Sequence, residues 1–302
     1  MFRFCNILRF IPAAALVVGL AAAGDVPQIA SPYQHYSLKL YSIASPAAPI
    51  IGQFLKVSID GGPLLRMLLD SGTQRVILGK HAAAGRTNGS SMEVVGIGTQ
   101  GNAHQLTPAT LQIGGLILKD CEMMALDSRL TEGIDGVIPL SLFAGFLVHL
   151  DIPRRMLELD PYPQDSSAPD SSYSLARADN HLLFVDAAIN ESHSGYVLLD
   201  TGATYNVISP TVAQHWSNSR LMQTPVSLLA GTSAVTGFLL PPGVRFRLGS
   251  HEVRADPAVV VDLSYMGRRH QLKVAGVLGY PALSRSVLTV NYRDGLVRIG
   301  GK

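Results

Sequence analysis

Residues 68–73 read Leu-Leu-Asp-Ser-Gly-Thr, and residues 198–203 read Leu-Leu-Asp-Thr-Gly-Ala. Each copy is soon followed by an aliphatic pair. In both copies an apolar, strand-like run leads into an aspartate and then into a glycine, whose missing Cβ lets backbone approach a carboxylate closely. The chain therefore contains two matched half-sites, and their aspartates, Asp70 and Asp200, can share one proton and one water.

Chance is the alternative explanation of these copies. Asp, Ser, Thr and Gly are ordinary turn residues, and one Asp-Ser/Thr-Gly arises by chance in about one chain in ten of this length. Two copies with matching apolar residues on both sides are far rarer, so chance is the weaker interpretation.

The first 23 residues follow the plan of a secretory signal. Arg3 and Arg9 precede an apolar run over residues 10–20, and alanines at 21–23 end it. A retained membrane anchor is the alternative, but the run is shorter than the ~20 residues that a spanning helix needs. We therefore predict a signal peptide at 1–23 and a secreted or periplasmic mature chain with no stable membrane insertion.

Charge and cysteine content exclude several classes of protein. The sequence holds 24 Lys and Arg against 22 Asp and Glu, and two of the basic residues lie in the predicted signal, which leaves 22 of each sign. A nucleic-acid partner needs a basic excess, so none is predicted. Cys121 is the single cysteine outside the signal, which precludes an intrachain disulfide. Its apolar neighbours predict a buried thiol rather than a reactive one.

Other catalytic motifs are missing or weak. The nine histidines show no metal-ligand spacing, so neither a metal nor another cofactor is predicted. No Gly-x-Ser-x-Gly supplies a serine nucleophile. Residues 96–101 spell the Gly-x-Gly-x-x-Gly of dinucleotide sites, but no helical pattern follows them, which makes that interpretation weak.

An internal repeat organises the chain. Residues 54–59 and 184–189 both alternate apolar with other residues, as half-buried strands do. They lie 130 positions apart, as do Asp70 and Asp200. Later matching segments lie 135 and then 140 positions apart, which indicates short insertions in the loops between matching strands.

The repeat predicts an all-β chain with two homologous lobes. We predict a first lobe at 24–163 and a second lobe at 181–302. Between them, residues 164–180 are predicted to be a linker, because Pro, Ser and Asp are frequent and the periodicity is lost. A short helix is predicted within residues 210–219.

The aspartate turns, together with Gly-Val-Leu-Gly-Tyr at 276–280 and Leu-Thr-Val-Asn-Tyr at 288–292, make the chain resemble the aspartic proteases. It looks like a bilobal, secreted bacterial relative that combines retropepsin-like lobes with the two-lobe chain of the pepsins. The resemblance covers most of residues 50–302. It implies a double-ψ β-barrel in each lobe, with Asp70 and Asp200 facing each other between the lobes.

The resemblance also implies roles for the residues around this pair. Asp70 and Asp200 are the expected catalytic residues, one activating the water and the other, protonated, polarising the scissile carbonyl. Ser71 and Thr201 are expected to join the two loops through hydroxyl-to-backbone hydrogen bonds across the lobe interface. The other residues expected to support the pair are Gly72, Thr73, Gly202 and Ala203.

The two half-sites differ in hydroxyl content. Thr73 can donate a hydrogen bond to Asp70, whereas Ala203 has no hydroxyl to offer Asp200. A pair with one donor fewer keeps its shared proton to higher pH. We therefore expect a mildly acidic optimum, roughly pH 4 to 6.

Two further features of the resemblance concern the surroundings of the pair. Gly96, Ile97 and Gly98 are the candidate tip of a hairpin that closes over substrate. An aliphatic-aliphatic-Gly strand lies beside each aspartate loop in the family. The second lobe fits with Gly279, whereas the first lobe departs with Pro139, which has a fixed φ and no N–H donor.

The predicted function is that of an aspartic endopeptidase, a hydrolase acting on proteins or peptides as a monomer. The alternative is a catalytically inactive duplicated barrel that binds peptide in the cell envelope. Pro139, Ala203 and the missing flap tyrosine favour the alternative. Two intact aspartates favour the enzyme, because a binding module has no need of two carboxylates that repel each other.

Overall fold

A computed structural model describes residues 17–19, 27–45, 48–86, 88–96, 99–126, 130, 133–163, 174–179, 181–191, 193–214, 225–230 and 233–301. The described residues of the first half form thirteen strands: β1 Val17–Gly19, β2 Gln28–Ile29, β3 Tyr36–Lys39, β4 Tyr41–Ser45, β5 Ala48–Ile59, β6 Leu64–Asp70, β7 Val76–Leu78, β8 Asn88–Gly96, β9 Thr99–Ile113, β10 Leu116–Leu126, β11 Gly136–Pro139, β12 Leu147–Asp151 and β13 Met156–Asp160.

The second half continues in the same manner. Its strands are β14 Ser174–Asp179, β15 Leu182–Ile189, β16 His193–Asp200, β17 Asn206–Ile208, β18 Pro225–Ala230, β19 Ser233–Leu239, β20 Arg245–Leu248, β21 His251–Arg254, β22 Ala258–Val260, β23 Val274–Gly279, β24 Ser286–Asn291 and β25 Leu296–Gly301. The helical segments in the described residues are short: a 3-10 turn at Leu140–Phe143, α1 Pro210–Ala213, α2 Ser264–His270 and α3 Tyr280–Leu283. The predicted all-β fold class is confirmed.

Six strands of the first lobe close into a barrel. The pairing runs β5, β6, β11, β7, β10 and β9, and β9 returns to pair with β5. β6 with β11 and β7 with β10 are parallel, whereas the other pairs are antiparallel. The predicted strand at 54–59 lies within β5 and alternates buried and more exposed side chains after Leu55, as its sequence pattern indicated.

The second lobe repeats this register. Val137 pairs with Ile77 in the first lobe, and Val277 pairs with Val207 in the second. Ile77 and Val207 lie 130 positions apart in the sequence, whereas Val137 and Val277 lie 140 positions apart. The difference in spacing therefore arises in the loops between the strands, and the strand pairing is the same in both lobes. One difference is that β21 and β22 are two strands where the first lobe has the single strand β10.

A six-stranded antiparallel sheet connects the lobes. Its order is β14, β25, β24, β12, β13 and β3, so each half of the chain supplies three strands. The central pair is β12 with β24, in which Val148 lies opposite Val290 and Leu150 opposite Leu288. Buried apolar side chains of both lobes and of this sheet form one continuous cluster, which fixes the lobes against each other.

A described strand, β14, lies within the predicted linker at 164–180. Residues 174–179 form a strand that pairs with β15 on one side and with β25 on the other. The polar composition of this segment indicated a linker. Backbone pairing does not require apolar side chains, so a polar segment can still form a strand with a partner on each side. Residues 164–173 lie outside the described part of the chain.

Two other sequence predictions meet the structure only in part. The helix predicted within 210–219 is observed as α1, which ends at Ala213, and residues 215–219 lie outside the described part. Within the predicted signal, Val17–Gly19 forms β1, which pairs antiparallel with β8. None of the described helices is long and apolar enough to cross a membrane.

Candidate active site

Two buried strands deliver the matched aspartates to one place between the lobes. Asp70 is the last residue of β6, which lies between β5 and β11, and Asp200 is the last residue of β16, which lies between β15 and β23. Both side chains are 0% exposed. The apolar run before each aspartate forms the strand interior, and the Ser-Gly or Thr-Gly turn after it ends the strand.

Four hydrogen bonds tie the two turns together across the lobe interface. Ser71 Oγ accepts from Thr201 N at 3.0 Å and donates to Leu199 O at 2.9 Å. Thr201 Oγ1 accepts from Ser71 N at 3.1 Å and donates to Leu69 O at 2.9 Å. Each hydroxyl therefore serves as donor and acceptor with the opposite lobe, and the arrangement is nearly two-fold symmetric.

Backbone amides hold one oxygen of each carboxylate. Gly72 N donates to Asp70 Oδ1 at 2.6 Å, and Gly202 N and Ala203 N donate to Asp200 Oδ1 at 2.8 and 2.9 Å. Gly202 also packs against the opposite aspartate, since a Cβ built on it would lie 2.5 Å from Asp70 Cγ. The glycine in the motif is thus required for the approach of the two loops.

Burial sets the protonation of the pair. Loss of solvent raises the pKa of Asp70 to about 6, although hydrogen bonds with Asp200, Gly72 and Gly202 lower it in part. Loss of solvent and the charge of Asp70 together raise the pKa of Asp200 well above its ordinary value. The negative charge of one carboxylate opposes ionisation of the other. The two groups therefore do not both ionise near neutral pH, and the pair retains one proton.

The second oxygens of the two carboxylates face no protein donor. Asp70 Oδ2 and Asp200 Oδ2 are buried, and within the described part of the chain neither has a hydrogen-bond partner. Backbone amides thus hold the Oδ1 atoms, while the Oδ2 atoms receive no hydrogen bond from the described residues. A carboxylate and a carboxylic acid held side by side can act as general base and general acid in one step.

Thr73 corrects a prediction. Its hydroxyl is buried, and it has no hydrogen-bond partner among the described residues, so the expected bond to Asp70 is not formed. On the other side, Ala203 donates to Asp200 through its backbone N–H, which does not depend on a side chain. The prediction considered only the side-chain hydroxyl groups of the two turns. In the structure, backbone amides donate the hydrogen bonds to the two carboxylates.

Pro139 and Gly279 occupy equivalent positions, and the structure explains the difference. Pro139 pairs with Asp70, as Gly279 pairs with Asp200. Gly279 N donates to Asn206 Oδ1 at 2.9 Å, and the position equivalent to Asn206 in the first lobe is Val76. A proline without an N–H therefore stands where the neighbouring side chain offers no acceptor.

Asn206 was not singled out from the sequence, although a signal existed. It is 0% exposed, and its Nδ2 also donates to Pro257 O at 3.0 Å. Two coupled differences between the copies, Val76 against Asn206 and Pro139 against Gly279, indicate a side-chain-to-backbone contact in one lobe only.

Replacing Asn206 by Val is expected to destabilise the protein. The substitution leaves Gly279 N–H without its acceptor, and an unsatisfied buried group costs about 1 to 3 kcal/mol. Pro257 O keeps the hydrogen bond from the backbone N–H of residue 206. Denaturant unfolding measures the change in free energy. Asn102→Val, at an exposed position of β9, is the control and is expected to change little. An Asn206→Val variant as stable as the wild type would contradict this role.

A hairpin lies where the flap was predicted. β8 and β9 pair antiparallel up to Gly96 and Thr99, which close the described part of the hairpin. Ile97 and Gly98, the rest of the candidate tip, lie outside the described residues. In the second lobe β18 and β19 form a corresponding hairpin, and β19 lies against β9.

Acidic, histidine and cysteine side chains do not gather elsewhere into a metal site. Among the described residues no three of them are placed to hold a metal ion. The two aspartates are the one close pair of buried carboxylates that the described part of the chain presents.

Comparisons with known proteins agree with this geometry. The family model described as aspartyl protease matches residues 185–282, which include Asp200. The fold is similar to that of the aspartic proteinase from Irpex lacteus, with a TM-score of 0.54 and 11% identity over 89% of this chain and 98% of that one. The comparison with curated proteins gave no match. The resemblance stated from the motifs is confirmed.

Proposed function

We propose that this chain is an aspartic endopeptidase, because the family model described as aspartyl protease matches residues 185–282 and the fold is similar to that of an aspartic proteinase. The observation that supports this most is the pairing of Asp70 and Asp200. Both are fully buried at the ends of equivalent strands, with their turns joined by reciprocal hydrogen bonds. A peptide-binding module would not need this desolvated pair of acids.

The proposed reaction is hydrolysis without a covalent intermediate. The ionised aspartate takes a proton from water, and the resulting hydroxide adds to the carbonyl carbon of the scissile bond. The protonated aspartate donates its proton to the carbonyl oxygen. Proton transfer to the amide nitrogen then releases the amine as the C–N bond breaks, and the pair regains its single proton.

The substrate is proposed to be a protein or peptide held under the β8–β9 hairpin. An extended peptide can pair with strands through its backbone, and closing hairpins commonly exclude water from such sites. Digestion of a mixed peptide library by the purified mature protein tests the activity. Absence of cleavage at every pH from 3 to 8 would overturn the proposal.

The rate is expected to depend on pH through the coupled pair. As pH rises through about 6, the pair loses the first of its two protons, and the ionised carboxylate can act as base, so the rate rises. At higher pH the pair loses its second proton, and the rate falls. The optimum is therefore expected nearer to neutral pH than the range inferred from Thr73. A pH–rate profile of kcat/KM measures it, and an optimum below about pH 4 would contradict the raised pKa values.

The protein is expected to act as a monomer. Both half-sites belong to one chain, and the interlobe sheet pairs β12 with β24 within it. Specific activity should not change on dilution over a hundredfold range in which sedimentation shows a single species. Activity that falls together with the loss of a dimer would contradict this.

We place the activity outside the cytoplasm, in the periplasm or in the medium. The support is the signal-like sequence of residues 1–23. Removal of these residues would take β1 away from β8 and would leave the other strands of both lobes in place.

A further inference from the structure

Two stacked aromatic rings of the first lobe carry three cations. Tyr41 of β4 and Phe54 of β5 lie opposite each other on paired strands, with ring centroids 5.3 Å apart. Lys39 Nζ and Lys56 Nζ lie 5.6 and 4.6 Å from the centroid of Tyr41, and Arg66 Cζ lies 4.6 Å from that of Phe54. The two rings therefore hold three positive charges close together.

Strand alternation places these cations on the outer side of the barrel. Lys56 of β5 and Arg66 of β6 lie opposite each other, and Leu55, the residue before Lys56, lies in the core. The side chains of Lys39, Lys56 and Arg66 are exposed. Leu64 projects from the same side of β6 as Arg66, two residues away, and is 65% exposed. We call Lys39, Lys56, Leu64 and Arg66 the basic face.

The positive charge of the basic face is not compensated by the described carboxylates. Within the described part of the chain none of its three cations forms an ion pair, whereas Arg86, Arg245 and Arg254 each pair with a carboxylate. Asp135 accepts a hydrogen bond from the backbone N–H of Arg66 and not from its guanidinium. An aromatic ring attracts a cation without cancelling its charge. The basic face therefore keeps a net positive charge.

The basic face has the chemistry that binds the surface of an anionic bilayer. Lys and Arg side chains are attracted to anionic headgroups. An exposed leucine beside them can enter the boundary between headgroups and acyl chains, where tyrosine rings are also frequent. A soluble polyanion would contact the cations and would gain nothing from Leu64. The leucine therefore favours a membrane over an acidic protein as the partner.

We propose that the basic face docks the protein on an anionic phospholipid membrane, with Leu64 inserted between the headgroups. The docking is reversible, because three cations and one leucine supply far less binding energy than a membrane-spanning helix. This inference does not rest on the proposed peptidase function, since neither Asp70 nor Asp200 takes part in the docking.

Sedimentation with lipid vesicles tests the docking. The mature protein should bind vesicles of mixed phosphatidylglycerol and phosphatidylcholine about tenfold or more better than vesicles of phosphatidylcholine alone. Binding should weaken as salt is added, because salt screens the attraction between the cations and the headgroups. Equal binding to both kinds of vesicle, or binding to neither, would overturn the inference.

Charge variants assign the binding to the basic face. Each of Lys39→Gln, Lys56→Gln and Arg66→Gln should lower the partition coefficient onto the anionic vesicles about fivefold, and the triple variant about a hundredfold. All three positions are exposed, so each single variant should fold and gives an independent result.

The matched control removes the same charge from other exposed positions, on β10, on β20 and before β23. It is the triple variant Lys119→Gln, Arg247→Gln and Lys273→Gln. This variant should bind the anionic vesicles nearly as well as the wild type. Equal losses in the two triple variants would show that the overall charge drives binding, and would overturn the assignment to this face.

Leu64→Ser distinguishes a membrane from a soluble polyanion. The variant keeps every charge, so its binding to the anionic vesicles should fall about fivefold, while its binding to polyglutamate should equal that of the wild type. Unchanged vesicle binding in this variant would exclude insertion of Leu64. Tighter binding of the wild type to polyglutamate than to the vesicles would indicate an acidic protein as the partner and would overturn the inference.

Discussion

Replacement of either Asp70 or Asp200 by Asn is expected to lower kcat/KM by about a thousandfold or more. Asn has neither the negative charge of the base nor the acidic proton of the acid, so each single variant lacks one half of the pair. The double variant should be no worse than the singles, because the two groups act as one unit. Cleavage of a peptide from the library, followed by separation of products, measures the loss.

The same variants should remain folded. The pH dependence of the free energy of unfolding tests this expectation. The pKa of Asp70 is raised from 3.8 to about 6, so the folded state binds the proton more tightly than the unfolded chain. The contribution of Asp70 to stability is therefore fully present below its unfolded pKa of 3.8 and is lost as pH rises through about 6. Asn does not ionise, so Asp70→Asn should be more stable at pH 7 by an amount on the order of 3 kcal/mol.

The control for this experiment is Asp186→Asn, on an exposed position of β15. It should change neither the rate nor the pH dependence of unfolding. If one of the two active-site variants keeps near-native turnover, the two-aspartate mechanism is wrong.

Replacement of Gly202 by Ala is expected to have the second largest effect on activity. The added Cβ would lie 2.5 Å from Asp70 Cγ and 2.6 Å from Asp70 Oδ2, closer than real Cβ contacts allow. Either Asp70 or the Asp200 turn must move, and the reciprocal bonds of Ser71 and Thr201 oppose that movement. Displacement of reacting groups by about 1 Å lowers rates on the order of a hundredfold.

Gly115→Ala is the matched control, because a Cβ at this position of the β9–β10 turn meets no atom within 4 Å. It should leave kcat/KM unchanged. The Gly202→Ala variant should also show an altered pH–rate profile, since the distance between the carboxyl groups sets their coupling. Near-native turnover in Gly202→Ala would show that the loops tolerate separation.

The matched motifs and their spacing were sufficient to predict the fold class, the repeat and the pair of aspartates. The information is local: an apolar run, an aspartate and a glycine turn define a strand end wherever they occur, and two copies imply two equivalent strands. Equivalent residues pair in each lobe, Val137 with Ile77 and Val277 with Val207. The roles of the two aspartates stay predictions.

Other features depend on which segments meet in space. The hydrogen bond predicted from Thr73 is missing, because the direction of a hydroxyl is set by its surroundings and not by its place in a motif. The strand β14 lies in the predicted linker and was not recognised there. It pairs with β15 and with β25, and β25 lies at the other end of this half of the chain. Composition alone does not report such pairing.

The sequence by itself determined where the two aspartates stand and which turns carry them, because those properties follow from residues adjacent in the chain. Tertiary structure alone decided what surrounds them. The acceptor for Gly279 N–H is Asn206, and the partner of Arg75 is Glu122, each far away along the chain. Burial, charge compensation and hydrogen-bond partners are properties of the packed lobes, so the protonation of the pair follows only from the fold.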